Sequence, residues 1–296
     1  VATGNGATHC SATNLIKEGK KSRGTHGTVH GGISSFGPSR KEKLMNILVT
    51  NDDGIHAPGL AAIYQELCLL GEIMVVAPES EQSAVGHAIS LSQPLRVRQV
   101  SLDGGVPGWA VSGTPADCVK IALAELLPTS PDLVVSGINL GPNVGINVLY
   151  SGTVSAATEA SILGVRALAF SLDSYKNVDF APAARLARQV LARLLDWPSW
   201  TPKICLNVNL PNLPPEQVRG VKFTRQDVGP LVEHFERRVD PRERIYYWLA
   251  EINDHQAPDL TTDFGALQAG YVSITPIHHD LTHYPSLENL LSRPCL

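Results

Sequence analysis

Five short apolar runs recur along residues 47–211: ILVT, EIMVVAP, DLVVS, ALAFS and KICLNVNLP. Each is continuous rather than alternating, the signature of a strand buried on both faces. Between them lie helical stretches: Pro58 to Leu70, TPADCVKIALAELL, TVSAATEASILG and APAARLARQVLARLLD. Strands joined through helices run parallel, so the chain reads as an α/β protein with a mostly parallel sheet and helices on both faces. Two extended segments, LRVRQV and WAVSG, precede the second helix. After Pro211 the rhythm shortens into a β-leaning region, about 212–282, with IYYWLAE and GYVSITPI. Hairpins packed on a neighbour or on a second subunit are expected there.

Residues 1–44 read differently. They are rich in Gly, Ser and Thr, lack periodicity, and carry seven Lys/Arg against two Asp/Glu. This composition predicts a disordered extension outside the fold. Met45 stands immediately before the first strand and reads as a natural start; a transit peptide is the alternative for the basic tail. The folded unit is then 45–296. With the whole chain at −4, it carries about −9, which argues against a surface for a nucleic-acid duplex. No apolar run approaches the roughly 18 residues of a membrane span. The five cysteines are scattered without CxxC spacing, as expected of reduced thiols in the cytoplasm.

In an open α/β sheet, ligands bind beyond the carboxyl ends of strands, near the point where strand order reverses. Three loops leave strands in this way. The first is Asn51-Asp52-Asp53-Gly54. Gly54 gives the chain freedom to turn, and two carboxylates brought together repel unless a proton or a cation intervenes. A plain polar turn is the competing reading. The second loop, APESEQSAVGH, offers Ser83 as a neutral oxygen, with Gln82 and His87 as groups facing a substrate. The third, from Ser136 to Ala160, has Gly137, Gly141, Gly145 and Gly152 with Asn139, Asn143 and Asn147. It delivers Ser151-Gly152-Thr153 to a helix start, where free N–H groups and the helix dipole attract an anion. A simple N-cap by Ser151 or Thr153 uses the same donors.

Other features have local explanations. TPAD, Thr114 to Asp117, is a capping-box pattern with Pro115 at the first helical position. His278, His279 and His283 lie between Pro276 and Pro285, which argues against one helix presenting them to zinc. The remaining oxygen donors suit Mg²⁺, Mn²⁺ or Ca²⁺. An acid pair with a hard cation beside an anion-binding helix start describes hydrolysis of a phosphate ester.

Eight segments occur in an order that closely resembles the SurE family of survival-protein nucleotidases. They are ILVTNDDGI, VVAPESEQSAVGHAIS, VSGTPADCVK, DLVVSGINLGPNVG, YSGTVSAATEA, LNVNLP, DPRERIYYWL and TDFGALQAGYVSITP. The resemblance spans about residues 45–282. It implies a Rossmann-like core, a C-terminal β extension and assembly as a homodimer or homotetramer. It also implies divalent-metal-dependent hydrolysis of nucleoside 5′- and 3′-monophosphates, with one Mg²⁺ or Mn²⁺ per subunit. For some members the resemblance also implies activity on short polyphosphate, and a broad acid phosphatase or exopolyphosphatase is the alternative. A nucleotide sensor without turnover is the alternative from another class. Carried over by position, Asp52, Asp53, Ser83 and Asn139 would hold the metal. Asn143, Ser151, Gly152 and Thr153, together with Asn51 and Gly137, would contact phosphate or substrate. Asp52 would be the catalytic acid, as general base or as direct participant. Glu243 stands where the family commonly has glycine, leaving the conformation of that turn to the structure.

Overall fold

The computed structural model describes residues 44–176, 178–229, 232–252 and 259–292, so the extension expected over 1–44 lies, but for Leu44, outside the described residues. The first strand, β1 (Met45–Thr50), is followed by α1 (Pro58–Leu67) and β2 (Gly71–Pro78). Next come β3 (Val97–Ser101), β4 (Pro107–Val111) and α2 (Pro115–Ile121). The series continues with β5 (Leu133–Leu140), α3 (Gly152–Ile162), β6 (Ala167–Asp173), α4 (Ala181–Leu195) and β7 (Cys205–Pro211). The C-terminal part adds β8 (Val221–Phe223), β9 (Val232–Val239), β10 (Ile245–Ile252), α5 (Asp263–Gln268), β11 (Val272–Ile277) and α6 (Tyr284–Leu291).

Among the described residues nine strands form one sheet, in the order β3-β4-β2-β1-β5-β6-β7-β11-β8. Pairing is parallel from β4 through β7, with β3 and β11 antiparallel to their neighbours β4 and β7. The chain therefore builds outward from β1 in one direction, then returns and builds from β5 in the other. The reversal lies between β1 and β5, so their carboxyl ends mark the crevice.

The period of two along β1 explains the layers. Ile47 and Val49 point into an apolar cluster with Leu60, Ile63 and Leu67 of α1 and Ala184, Ala187 and Leu191 of α4. Leu48 points the other way, to Cys118 and Val119 of α2 and Ala156, Ala157 and Ala160 of α3. Helices thus cover both faces, and buried strands on each side carry the continuous apolar pattern seen in the sequence. The small alanines of α3 let it sit close on the sheet, which brings its first turn to the carboxyl end of β1.

Several boundaries differ from the expected ones; β5, for one, runs on to Leu140, so Asn139 lies on the strand instead of in the loop after it. The α1 helix ends at Leu67 instead of Leu70, and the second expected helix changes at Ala122 into a wider π turn through Leu126. Helix ends fray and adapt to tertiary contacts, which periodicity alone does not register. The capping box at α2 forms as read: Thr114 Oγ1 accepts from the Asp117 N–H, and the Asp117 carboxylate accepts from the Thr114 N–H. In the C-terminal region β9 and β10 form an antiparallel hairpin that pairs with no other described strand. In its turn Glu243 adopts a left-handed φ of 62°.

Candidate active site

Since β1 pairs in parallel with both β2 and β5, the loops after these three strands leave from one edge of the sheet. They are stitched together by main-chain bonds. The Ile55 N–H donates to the Pro78 carbonyl and the Gln82 N–H to the Asp52 carbonyl, both at 2.8 Å. The Gly86 N–H donates to the Tyr150 carbonyl at 3.0 Å. The three loops singled out in the sequence therefore form one assembly.

Asn51 and Asp52 are buried and Asp53 is half-buried. The Asn51 amide donates to the Gly54 carbonyl at 3.0 Å, which closes the turn, and Gly54 has a φ of 102° that a side chain would resist. Asp52 faces the start of α3. Its carboxylate accepts a short hydrogen bond from the Thr153 hydroxyl. A Cβ placed on Gly152 would lie 2.8 Å from the Asp52 Cβ and 3.0 Å from its Oδ2. Glycine at this position is what admits the carboxylate to the helix end.

The electrostatics of the pair are adverse. Burial raises the pKa of Asp52, against the opposing pull of the Thr153 hydroxyl and main chain, and Glu81 adds to the rise. Asp53 is pushed up to about 7, by burial first and then by the charges of Asp52 and Glu81. A main-chain donor at Leu140 acts weakly in the other direction. The charged groups that bear on the pair are acids. Such a site stores repulsion that a cation relieves.

The fourth expected ligand is set by an irregularity. Between Ser136 and Asn139 the β5–β6 register shifts. Gly137, at a φ of 124°, makes this possible, since a Cβ there would meet the Phe170 carbonyl oxygen at 2.3 Å. Bulges of this kind re-aim the side chains beyond them. The Asn139 amide nitrogen donates to the Gly141 carbonyl at 2.8 Å, which leaves its oxygen as the ligand-capable end. Leu140, next in sequence, is the residue whose N–H bears on Asp53. Gly137 and Asn51 thus shape the backbone around the acids.

Ser83 lies on the exposed loop after β2, and its hydroxyl donates to Glu81 Oε1 at 2.5 Å. His87, expected to face a substrate, instead pairs with buried Glu159 of α3 at 2.7 Å. Lys120 holds the other Glu159 oxygen at 2.9 Å. This group ties the β2 loop to α2 and α3. Asn143 is buried, its side-chain amide donating to Ser171 Oγ at 2.7 Å, while its main-chain carbonyl accepts from the amides of Asn207 and Asn209. Its visible contribution is to pin the glycine-rich loop to β6 and β7. Ser151 is the N-cap of α3, accepting from the Val154 N–H at 3.0 Å. The capping alternative is therefore realised, and the carboxylate at the helix start is Asp52.

Among the described residues no three of His, Cys, Asp and Glu come together in metal-holding geometry, and the three C-terminal histidines do not cluster. The donor set at the acid pair is two carboxylates. It fits a hard divalent cation. Asn51 Oδ1, on the residue that precedes the acids, is a buried acceptor with no protein donor among the described residues. Acidic surroundings with an orphaned acceptor favour a bound positive charge. Sequence reasoning missed Glu81, although its position two residues before Ser83 in a loop was a usable signal. It also missed Glu159, whose partners come from two other elements.

Comparison with known proteins finds one family. The sequence pattern of the family described as "Survival protein SurE" matches residues 47–231. The chain is 51% identical over 246 residues to the 5'-nucleotidase SurE of Syntrophobacter fumaroxidans, covering 83% of this chain and 98% of that protein. It is 53% identical over 249 residues to the 5'-nucleotidase SurE of Syntrophus aciditrophicus, covering 83% and 92%. The crystal structure of the SurE protein from Aquifex aeolicus superposes with a TM-score of 0.72 at 38% identity, over 83% of this chain and 98% of that one. The doubly covered sheet, the acid pair at its switch point and these matches lead to one conclusion: the chain belongs to the SurE family.

Proposed function

We propose that this chain is a divalent-metal-dependent phosphomonoesterase that hydrolyses nucleoside 5′- and 3′-monophosphates to nucleoside and phosphate. The observation that carries the reading is the Asp52–Asp53 pair, raised in pKa by burial and by acidic neighbours, set against the first turn of α3. A sensor that only bound phosphate would gain nothing from carboxylates at that position. Relatives named 5'-nucleotidase SurE, about half identical over most of the chain, support the substrate class.

Asp52, Asp53, Ser83 and Asn139 are the residues assigned to hold Mg²⁺ or Mn²⁺. A cation there supplies Lewis acidity to a phosphoryl oxygen. Asp52 takes part in the reaction, as base toward the attacking water or directly. The Thr153 hydroxyl fixes its orientation, and Gly152 keeps the approach clear. The substrate phosphate lies toward Ser151, Gly152 and Thr153, where the start of an eleven-residue helix opposes its charge. Asn51, Gly137 and Asn143 hold the three loops in register around it.

The test is phosphate release from AMP, 3′-AMP and polyphosphate, with Mn²⁺ or Mg²⁺ and then with chelator, for native protein and Asp52→Asn. Release from both nucleotides that depends on metal and on Asp52 is expected. Turnover that survives chelator and substitution would sink the mechanism, and polyphosphate as the better substrate would favour the exopolyphosphatase reading. Residues 1–44 are assigned no catalytic part, so their deletion leaves these rates unchanged.

The hairpin supports assembly as a homo-oligomer. On one face of β9 and β10 the cross-strand pairs Phe235–Leu249, Arg237–Tyr247 and Val239–Ile245 align. Their five apolar members are all more than half exposed, a patch of the kind that marks an interface. Size-exclusion chromatography of Phe235→Asp with Tyr247→Asp would yield monomer; an unchanged oligomer refutes the assignment. No helix among the described residues is long and apolar enough to cross a membrane. Cys118 and Cys205 are buried free thiols, in keeping with a cytoplasmic location.

A further inference from the structure

Ser83 differs from the other assigned cation ligands in being exposed. A serine hydroxyl has one hydrogen and two lone pairs, and it coordinates a cation well only when the hydrogen points away. Left to itself, an exposed hydroxyl on a loop rotates freely and spends that rotation when it binds. Here the rotation is already settled, because the hydrogen is committed to Glu81 Oε1 at 2.5 Å. That distance lies in the range of a charge-assisted O–H···O⁻ bond.

Glu81 itself is tied to the acid pair. A Cβ built on Gly54 would lie 3.4 Å from the Glu81 main-chain nitrogen, so the two loops run against each other at this point. The Gln82 N–H, next along the chain, donates to the Asp52 carbonyl. Glu81 is thus anchored on both sides to the turn that bears Asp52 and Asp53, while its side chain reaches Ser83.

We infer that Glu81 is a positioning residue for the cation, holding the Ser83 hydroxyl hydrogen so that the serine oxygen turns its lone pairs toward an ion bound by Asp52 and Asp53. The inference rests on the metal-dependent reading above and adds a residue to it. Glu81 acts through Ser83, in the way that hydrogen-bonded partners of ligands orient and tune them. It does not touch the phosphate.

The experiment is calorimetric titration of the full chain with Mn²⁺ alone, without nucleotide. Native protein and Asp53→Asn come first, followed by Glu81→Ala, Glu81→Gln, Ser83→Ala and the double variant Glu81→Ala/Ser83→Ala. Glu81→Ala is expected to weaken Mn²⁺ binding about 10–100-fold, the usual cost of losing an outer partner of a ligand. Gln retains an acceptor for the hydroxyl, so Glu81→Gln should fall between native and Ala. The double variant should be no weaker than the weaker single variant, because Glu81 has nothing to orient once the hydroxyl is gone. Native-like Mn²⁺ affinity in Glu81→Ala overturns the inference. So does a double variant in which the two losses multiply, since Glu81 would then act independently of Ser83. A fall in thermal midpoint in chelator, with affinity for Mn²⁺ intact, identifies a merely structural residue and also overturns it. If native protein binds no Mn²⁺, or binds it equally after Asp53→Asn, the failure lies in the acid pair and takes this inference with it.

Discussion

Asp53→Asn should make the metal-free protein more stable while destroying its use. The Asp53 carboxyl has an ordinary pKa of 3.8, and the fold moves it to about 7. Between these values the folded chain holds a proton that the unfolded chain has released. Stability therefore falls as pH rises through this window and is flat above it. At about 1.4 kcal/mol for each tenfold change, the gap corresponds to about 4 kcal/mol at pH 8. Asp53 is only partly buried, so solvent screening reduces this to about 2 kcal/mol. Asparagine removes the charge and keeps an oxygen for the Leu140 N–H. For a folded unit of this size, about 2 kcal/mol is roughly a 4–8 °C rise in thermal midpoint. The assay is thermal unfolding in chelator at pH 8 and pH 5, then with saturating Mn²⁺. The gain at pH 5 should be less than half that at pH 8. With Mn²⁺ at about 100 times its dissociation constant, native protein recovers about 2.7 kcal/mol that the variant does not, and the order reverses. A variant no more stable than native at pH 8 in chelator, or an equal gain at both pH values, refutes the claim that repulsion and burial dominate this site.

Two further substitutions probe the geometry. Gly152→Ala should cost at least about 10-fold in kcat because the new Cβ meets Asp52, while helix propensity changes by no more than about 1 kcal/mol in its favour; unchanged turnover would show that the helix end and Asp52 are not tightly matched. Glu243→Gly should stabilise the hairpin turn by about 1 kcal/mol, since a left-handed φ of 62° strains a residue with a side chain, and slower amide hydrogen exchange across β9 and β10 would report it.

How much of this was legible in the sequence follows from which interactions are local. Apolar runs announced β1, β2, β5, β6 and β7 because each is buried on both faces, and Leu48 between Ile47 and Val49 needs apolar contacts on both sides. The capping box at Thr114 was readable because all its atoms lie within four residues. The acids of NDDG were visible as an oddity at a strand end. Their partners were not, since Thr153 comes from a hundred residues further on and Glu159 reaches His87 across 72 positions. The hairpin was expected, but α5 and α6 were not. Short helices depend on tertiary packing more than on their own periodicity.

The capping result changes how the anion site should be understood. An exposed helix start attracts any negative group, and in this protein the first such group is its own Asp52, received by Thr153. On the function proposed above, carboxylate and substrate phosphate address the same turn of α3 and would compete if nothing else entered. A divalent cation held by Asp52 and Asp53 would remove the competition by giving them a counter-charge of their own, which would free the field of the helix end for the phosphate. The same arrangement explains why two acids tolerate burial at the switch point. The helix end offsets one of them, and the second, at a pKa of about 7, keeps much of its proton near neutrality until a cation replaces it. On this reasoning metal binding near pH 7 releases protons, and fewer as the pH rises above it.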